Sequence, residues 1–341
     1  MKLLDTNLKT CELGTSPFRI ETEENQIKLH ALAIMVGARG RGKSFFVSNL
    51  LGWLKFDRIF IISPTFESNQ SQFKHLNIQP EDIFDPDDPL VVEKIGALGN
   101  AERDDLIEFR RKKQILKELK KVYGKPSNLD DDYTLFDEYI DPITRNWNEP
   151  EHQRGDKRPV MGLFVDDAQS TAIFRNKKFL NLSLKHRHLF SMPGDESSLG
   201  LCIIMVVQSY TSTGGSLPRT IRNNATHVGL WRTKSKIELD LISQEMAGEV
   251  SPEKFIEIYN YIMSDPSVHT MMFIDLFPKP NHPSMFRKKY TQFVVDEQKS
   301  ISQNLQMHDV SSTSRSHVKH HYFSFVFLFY TLYFFSSEIL T

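Results

Sequence analysis

The stretch His30-Ala31-Leu32-Ala33-Ile34-Met35-Val36-Gly37-Ala38-Arg39-Gly40-Arg41-Gly42-Lys43-Ser44-Phe45 decides the fold. It opens as a short, mostly apolar run, the pattern of a buried strand. Gly37 to Ser44 then sets glycines at both ends of a loop that finishes in Lys-Ser, and Lys43 to Leu54 continues as a helix. Backbone N–H groups of such a loop converge on phosphate oxygens at the positive end of the following helix. Gly37, Gly40 and Gly42 permit backbone angles and close approaches that a Cβ would obstruct. A glycine-rich turn arising by chance is the competing reading, and the strand before the loop and the helix after it count against it. Gly37, Ala38, Arg39, Gly40, Arg41, Gly42, Lys43, Ser44 and Phe45 are therefore the expected nucleotide contacts. Lys43 would reach the β and γ phosphates of ATP, and Ser44 would offer a hydroxyl to Mg2+.

Working outward, Arg58 to Ile62 reads as a second strand stopped by Ser63-Pro64-Thr65. Val160 to Val165 runs into Asp166-Asp167, and Leu201 to Val207 runs into Gln208. Thr226 to Trp231, His269 to Phe273 and Tyr290 to Val295 are further strand candidates, separated by helices near Lys234 to Met246 and Pro252 to Met263. This alternation predicts an α/β fold, with a mainly parallel central sheet flanked by helices around the P-loop. Between the second and third strands, a short helix is expected around Leu90 to Leu98. A separate amphipathic one is expected over Ala101 to Tyr123, with Leu106, Ile107, Ile115, Leu116, Leu119 and Val122 on one face. The later turns of that helix are basic, Arg110 to Lys113 with Lys117, Lys120 and Lys121. Such a run can track a phosphate backbone or simply form a solvated face. The expected organisation is an N-terminal extension over 1–26, a P-loop domain over 27–297 with a charged helical insertion at about 69–156, and a polar linker with an aromatic tail over 298–341.

A Mg2+-assisted phosphoryl reaction needs a second oxygen ligand and a group that orients water, both at the carboxyl ends of strands beside the loop. Asp166 is the candidate for the metal and Asp167 for polarising the attacking water; an acidic turn after a buried strand is the bland alternative. Gln208 ends its strand in the same way, so its amide is a candidate contact for the γ-phosphate or the water. Arginines in His186-Arg187-His188 and in Leu217-Pro218-Arg219-Thr220-Ile221-Arg222-Asn223-Asn224 are candidate stabilisers of transition-state charge, although surface arginines are common. His186 and His188 lack credible zinc partners nearby in sequence, which favours a structural role.

The bulk numbers restrict little. The 341 residues suffice for one large core, and 42 basic against 43 acidic side chains make any polyanion-binding surface a local patch. Cys11 and Cys202 lie far apart, with Cys202 inside an apolar run, which fits a reducing compartment. Met1 to Asn25 has no sustained apolar core, so no secretory signal is expected. Tyr322 to Phe335 is almost unbroken aromatic and aliphatic sequence but shorter than the roughly 20 residues of a spanning helix, so it reads as a packed segment, a disordered tail or a membrane-surface element.

Taken together, the motifs resemble those of the viral genome-packaging ATPases of the FtsK/HerA superfamily, which includes the poxvirus packaging ATPase and its relatives in giant algal viruses and virophages. The order carries the resemblance: Gly37 to Ser44, then Lys55 to Thr65, Phe164-Val165-Asp166-Asp167, His186-Arg187-His188, Val206-Val207-Gln208-Ser209, and Leu217-Pro218 through Asn223-Asn224. It covers roughly Ile27 to Val295. It implies a RecA/FtsK-like ATPase that forms a homo-oligomeric ring and moves double-stranded DNA into a preformed capsid, with capsid or portal-vertex proteins as partners. It places the protein in the host cytoplasm at viral assembly sites or in the virion. It also suits an aspartate at position 167 where other branches carry glutamate, and suggests Arg187 or Arg222, with Arg219 behind them, as the residue completing a neighbour's site. The polar break Ser197 to Gly200 and the aromatic tail depart from a compact packaging ATPase. Two other readings compete: a membrane-associated P-loop ATPase for virion assembly or secretion, anchored by the tail, and a nucleotide-binding structural adaptor without appreciable turnover.

Overall fold

The computed structural model describes residues 20–76, 78–123, 158–169, 171–194, 198–211, 217–246 and 248–295. The chain divides into two compact units, Met1–Val294 and Val295–Thr341, and every described residue but Val295 belongs to the first. The aromatic run 322–335, its polar linker, and the acidic stretch 128–156 lie outside the described residues.

A nine-stranded sheet, β1 (Leu32–Val36), β2 (Arg58–Ile62), β3 (Ile83–Phe84), β4 (Met161–Val165), β5 (Cys202–Val207), β6 (His227–Trp231), β7 (Met271–Asp275), β8 (Phe286–Lys288) and β9 (Gln292–Phe293), is ordered β3-β2-β4-β5-β1-β6-β7-β8-β9. The pairings from β3 across to β6 are parallel, and those of β6 with β7, β7 with β8 and β8 with β9 are antiparallel. This is the mainly parallel, helix-flanked P-loop architecture that the alternation of elements predicts. The strand order puts the loop-bearing strand β1 between β5 and β6, and β5 between β1 and β4. The ends of β1, β4 and β5 that carry Gly37, Asp166 and Gln208 therefore meet on one edge.

Alternation along the buried strands sorts side chains onto two faces. Leu32, Ile34 and Val36 join one apolar cluster with Leu163, Val165, Ile203 and Met205, while Ala33 and Met35 join the other with Phe164, Ile204 and Val206. The second cluster is covered by α1 (Lys43–Leu54) through Val47, Leu50, Leu51 and Leu54, with Phe66 of α2 (Phe66–Asn69) beside it. The first is covered by α3 (Val91–Tyr123), α4 (Lys177–Leu184), α5 (Arg219–Asn223), α6 (Lys236–Glu245) and α7 (Pro252–Met263), which contribute Ile95, Phe179, Ile221, Ile242 and Phe255.

Several local expectations need correction. The two helices expected over Leu90 to Leu98 and Ala101 to Tyr123 are one helix of 33 residues. Gly99 does not break it, because the missing Cβ makes room for Phe190: a Cβ there would lie 2.2 Å from the Phe190 ring. Packing thus overrides a helix penalty of about 1 kcal/mol for glycine. The strand expected over Tyr290 to Val295 is present but shortened to β9, and it forms a hairpin with β8, which was not expected, turned where Lys289 adopts φ 56°. The strand expected from His269 starts at Met271, which leaves His269 on a loop. Helix α4, capped by Asn176 Oδ1 accepting from the Lys178 N–H at 2.8 Å, had no counterpart among the expected elements.

Residues 20–28 lie against the antiparallel end of the sheet. Buried Arg287 donates to the Asn25 carbonyl at 2.6 Å, Lys279 Nζ donates to the Thr22 carbonyl at 2.9 Å, and the Ile27 N–H donates to Tyr290 Oη at 3.2 Å. The chain is thereby led into β1 along a fixed path.

Candidate phosphate-binding and hydrolysis site

The phosphate loop is built against the rest of the sheet before any ligand is considered. Gly37 donates its N–H to the Val207 carbonyl at 3.1 Å, which fastens the loop to the end of β5. A Cβ on Gly37 would stand 2.8 Å from Trp231 Cβ, so only glycine fits where β1 passes β6. Gly42 starts α1 at φ 82°, a left-handed conformation that costs glycine nothing, and a Cβ there would meet the His269 ring at 2.9 Å. The Phe46 N–H donates to the Gly42 carbonyl at 2.9 Å, closing the first turn of the helix.

The loop borders a cavity of about 780 Å³, whose lining includes Arg39, Gly40, Gly42, Lys43, Ser44, Phe45, Asp166, Asp167 and Gln208. Ala38 is exposed and Arg41 half-buried on the same loop, and neither side chain lines the cavity. Lys43 is buried and folds back so that Nζ donates to the Ala38 carbonyl at 3.1 Å. Desolvation lowers its pKa from the ordinary value, and the Asp167 and Asp166 carboxylates act against that. Ser44 Oγ donates to Asp166 Oδ2 at 3.0 Å. This hydroxyl–carboxylate pair is a hard-oxygen donor set that suits Mg2+, which takes few protein ligands and keeps waters and phosphate oxygens for the rest.

Consecutive strand residues point to opposite faces, so Asp166 and Asp167 would be separated by simple extension of β4. Asp167 instead adopts φ 51°, a left-handed conformation aspartate tolerates better than most residues, and both carboxylates line the same cavity. The Asp166 N–H donates to the Ile62 carbonyl at 3.0 Å, which holds the turn to β2. Two neighbours flank Asp167 at the outer limit of hydrogen bonding: Thr65 Oγ1 to Oδ2 and Gln208 Nε2 to Oδ1, each 3.5 Å.

Burial, and then the Asp167 carboxylate, push the Asp166 carboxyl up to about 6, while Ser44 and Lys43 pull it down. The folded chain therefore holds this proton more tightly than an unfolded aspartate does. The stabilising contribution is complete below the ordinary value of 3.8 and is lost as pH rises through about 6. Asp166→Asn is expected to flatten the melting-temperature profile of the nucleotide-free protein between those two pH values. A profile parallel to that of the unsubstituted chain would show that another group titrates there.

The structure thus brings Lys43, Ser44, Asp166, Asp167 and Gln208 together, and leaves Arg187, Arg219 and Arg222 away from them. Arg187 and Arg222 border a second cavity, of about 510 Å³, beside Lys28, His30 and Thr226 at the amino ends of β1 and β6. Arg187 is exposed there, and so is Arg219 on α5. Arg222 is engaged within the chain, pairing with Glu245 at 2.9 Å, donating to the Leu217 carbonyl at 2.8 Å, and lying over the Tyr210 ring at 5.1 Å. His186 is buried with Nδ1 2.8 Å from the Ser183 carbonyl, and no cluster of metal-binding side chains occurs among the described residues.

Three residues were given no role by the sequence: Thr65 and His269, which line the cavity, and Gln169, which bonds the Gln208 backbone. Thr65 lies three residues past the end of β2, in the Ser63-Pro64-Thr65 stop, whereas Asp166 directly follows β4. Gln169, two residues past Asp167, carries no local signal. His269 reaches the cavity from the antiparallel extension, with Nδ1 3.2 Å from the Arg41 carbonyl. Beyond the cavity, Ser209 Oγ donates to Glu238 at 2.7 Å and Tyr210 Oη to Glu245 at 2.8 Å, so two carboxylates seven residues apart on α6 anchor the segment after Gln208.

No protein-family model and no curated protein matches the chain. Among solved structures, the genome-packaging NTPase B204 from Sulfolobus turreted icosahedral virus 2, in complex with AMPPCP, is similar at 14% identity over 72% of this chain and 93% of that one, with a TM-score of 0.36. EssC (ATPases 2 and 3) from Geobacillus thermodenitrificans is similar at 14% identity over 85% of this chain and 46% of that one, with a TM-score of 0.39. The pCW3 conjugation coupling protein TcpA, in its monomer form with ATPgS, is similar at 14% identity over 83% of this chain and 66% of that one, with a TM-score of 0.37. At these identities and scores, the functional reading stands on the geometry of the chain itself.

Proposed function

We propose that this chain is an ATP-hydrolysing motor that translocates double-stranded DNA, of the kind that fills viral capsids. The observation that carries the hydrolytic part is the convergence of Lys43, Ser44, Asp166, Asp167 and Gln208 on one cavity from the ends of three adjacent parallel strands. Lys43 would exchange the Ala38 carbonyl for β and γ phosphate oxygens, while loop N–H groups cradle the same phosphates. Ser44 and Asp166 would hold the Mg2+ that accompanies ATP, and that ion would neutralise charge on the phosphates. Asp167 would orient the attacking water, with Thr65 and Gln208 fixing the carboxylate from either side. Electrostatic positioning of this sort supplies most of the catalysis in phosphoryl transfer.

The DNA part is supported by the order of motifs through Asn224 and by the basic turns of α3, where Arg111, Lys113, Lys117 and Lys121 are exposed. Assembly as a homo-oligomeric ring, with an arginine from one copy completing the next copy's site, suits the placement of Arg187 away from its own phosphate loop. Capsid or portal-vertex proteins are the proposed partners, at assembly sites in the host cytoplasm or in the virion. No helix among the described residues is long and apolar enough to cross a membrane.

ATP turnover by the full-length chain is expected to rise about tenfold or more on adding duplex DNA. The rise should shrink steeply between 50 and 200 mM salt, as phosphate contacts require. ATP binding without turnover, with or without DNA, would instead identify a nucleotide-dependent adaptor.

A further inference from the structure

We infer that Gln169 is a positioning residue that holds Gln208 against the Asp166-Asp167 turn; the inference rests on the ATP-hydrolysing reading of the site. The ladder between β4 and β5 ends at Val165 opposite Met205. Past that point the segment after β4 turns away at Asp167, while β5 continues to Val207 and leads into Gln208 and Ser209. Among the described residues no strand pairs with their main-chain groups on that side. The Gln169 carboxamide occupies the place of the lost neighbour. Its Oε1 accepts from the Gln208 N–H at 2.6 Å and from the Ser209 N–H at 3.3 Å, and its Nε2 donates to the Ser209 carbonyl at 2.6 Å.

These partners settle which end of the amide is which, because main-chain N–H groups require the oxygen and the carbonyl requires the nitrogen. They also explain the residue type. A carboxamide presents an acceptor and a donor side by side, as a peptide unit does, whereas a carboxylate lacks the donor and a thioether lacks both. The Gln208 side chain stands 3.5 Å from Asp167 Oδ1. A shift of a few tenths of an ångström in the Gln208 backbone would separate them. Gln169 touches neither Asp167 nor the phosphate loop through any contact described above, so its effect on hydrolysis runs through Gln208.

The experiment is single-turnover hydrolysis of labelled ATP by the full-length chain with duplex DNA, alongside the ATP dissociation constant and the melting temperature. Gln169→Met, which keeps the length and loses both hydrogen-bonding functions, is expected to slow hydrolysis about 10- to 100-fold, as displaced catalytic groups do. ATP affinity should stay within about threefold, because Gln169 is not part of the phosphate loop. Gln169→Glu, which keeps the acceptor only, is expected to fall between Gln169→Met and the unsubstituted chain. In a Gln208→Ala background, Gln169→Met should cost less than about twofold more, since its route of action is already removed. Unchanged hydrolysis in Gln169→Met, equal losses of affinity and rate, or a full multiplicative loss on top of Gln208→Ala would each overturn the assignment. If Gln169→Met does not fold, the same comparisons are made with Gln169→Glu. Absence of turnover in the unsubstituted chain would remove the hydrolytic reading itself, and that result is read before any variant is compared.

Discussion

Lys43→Ala is expected to weaken ATP binding on the order of 100-fold, the scale of a lost charge-assisted contact to a phosphate. The Lys43 ammonium is buried beside two carboxylates, and its only hydrogen bond described in the nucleotide-free chain is to a carbonyl of its own loop. It is therefore held at a cost in desolvation, which a bound polyphosphate would offset. The nucleotide-free fold should not need it. The melting temperature without ATP should move by only a few degrees, while the rise on adding ATP should disappear, because stabilisation by a ligand follows its affinity. Fluorescent-nucleotide titration and thermal melts read both quantities. An affinity equal to that of the unsubstituted chain would remove Lys43, and with it the phosphate-loop assignment.

Asp167→Asn separates chemistry from binding. Asparagine accepts the left-handed backbone that Asp167 adopts at φ 51°, so the turn and the position of Asp166 should be kept. The amide still offers an acceptor to Gln208. It lacks the negative charge that polarises water, and it places an amide nitrogen where one carboxylate oxygen stood. Turnover is expected to fall about 100- to 1,000-fold, the range for a missing general base. The ATP dissociation constant should stay within about threefold, which would leave the variant trapped with ATP bound. Unchanged hydrolysis would exclude Asp167 from orienting the water. Loss of binding together with hydrolysis would instead assign it to the nucleotide or its metal ion.

How far the site was legible from sequence depended on whether its signal was local. The loop from Gly37 to Ser44 announces itself, because its glycines and Lys-Ser lie within a few residues of the strand and helix they join. Asp166, Asp167 and Gln208 could be placed by a rule that looks only at where an apolar run stops. That β5 lies between β1 and β4, and so sets Gln208 beside Asp167, is a fact of long-range pairing that no local pattern contains. Gln169 and His269 went unread for the same reason: one partners a strand end 39 residues later, and the other arrives from a loop 228 residues after the arginine whose carbonyl it meets. The continuity of α3 through Gly99 was not legible either, because it depends on the position of Phe190, far along the chain. The sequence offers Arg187 and Arg222 alike, and the chain distinguishes them by engagement: Arg222 is held by Glu245, while Arg187 is exposed.

The central position of β1 bears on how the chain is made. Among the described strands β1 is synthesised first, and it pairs with Ile203 to Val207 on one side and His227 to Leu230 on the other. At about 5 to 20 residues per second, roughly 10 to 40 seconds separate synthesis of β1 from that of its second neighbour. During that interval Leu-Ala-Ile-Met-Val has both edges open and is a target for chaperones or for pairing with other nascent chains. The phosphate loop, whose first glycine is fastened to Val207 and crowded by Trp231, can take its final shape only after both have emerged. Nucleotide is therefore expected to bind a nearly complete domain and not a growing one, so ATP acts late in biogenesis as a reporter of finished folding.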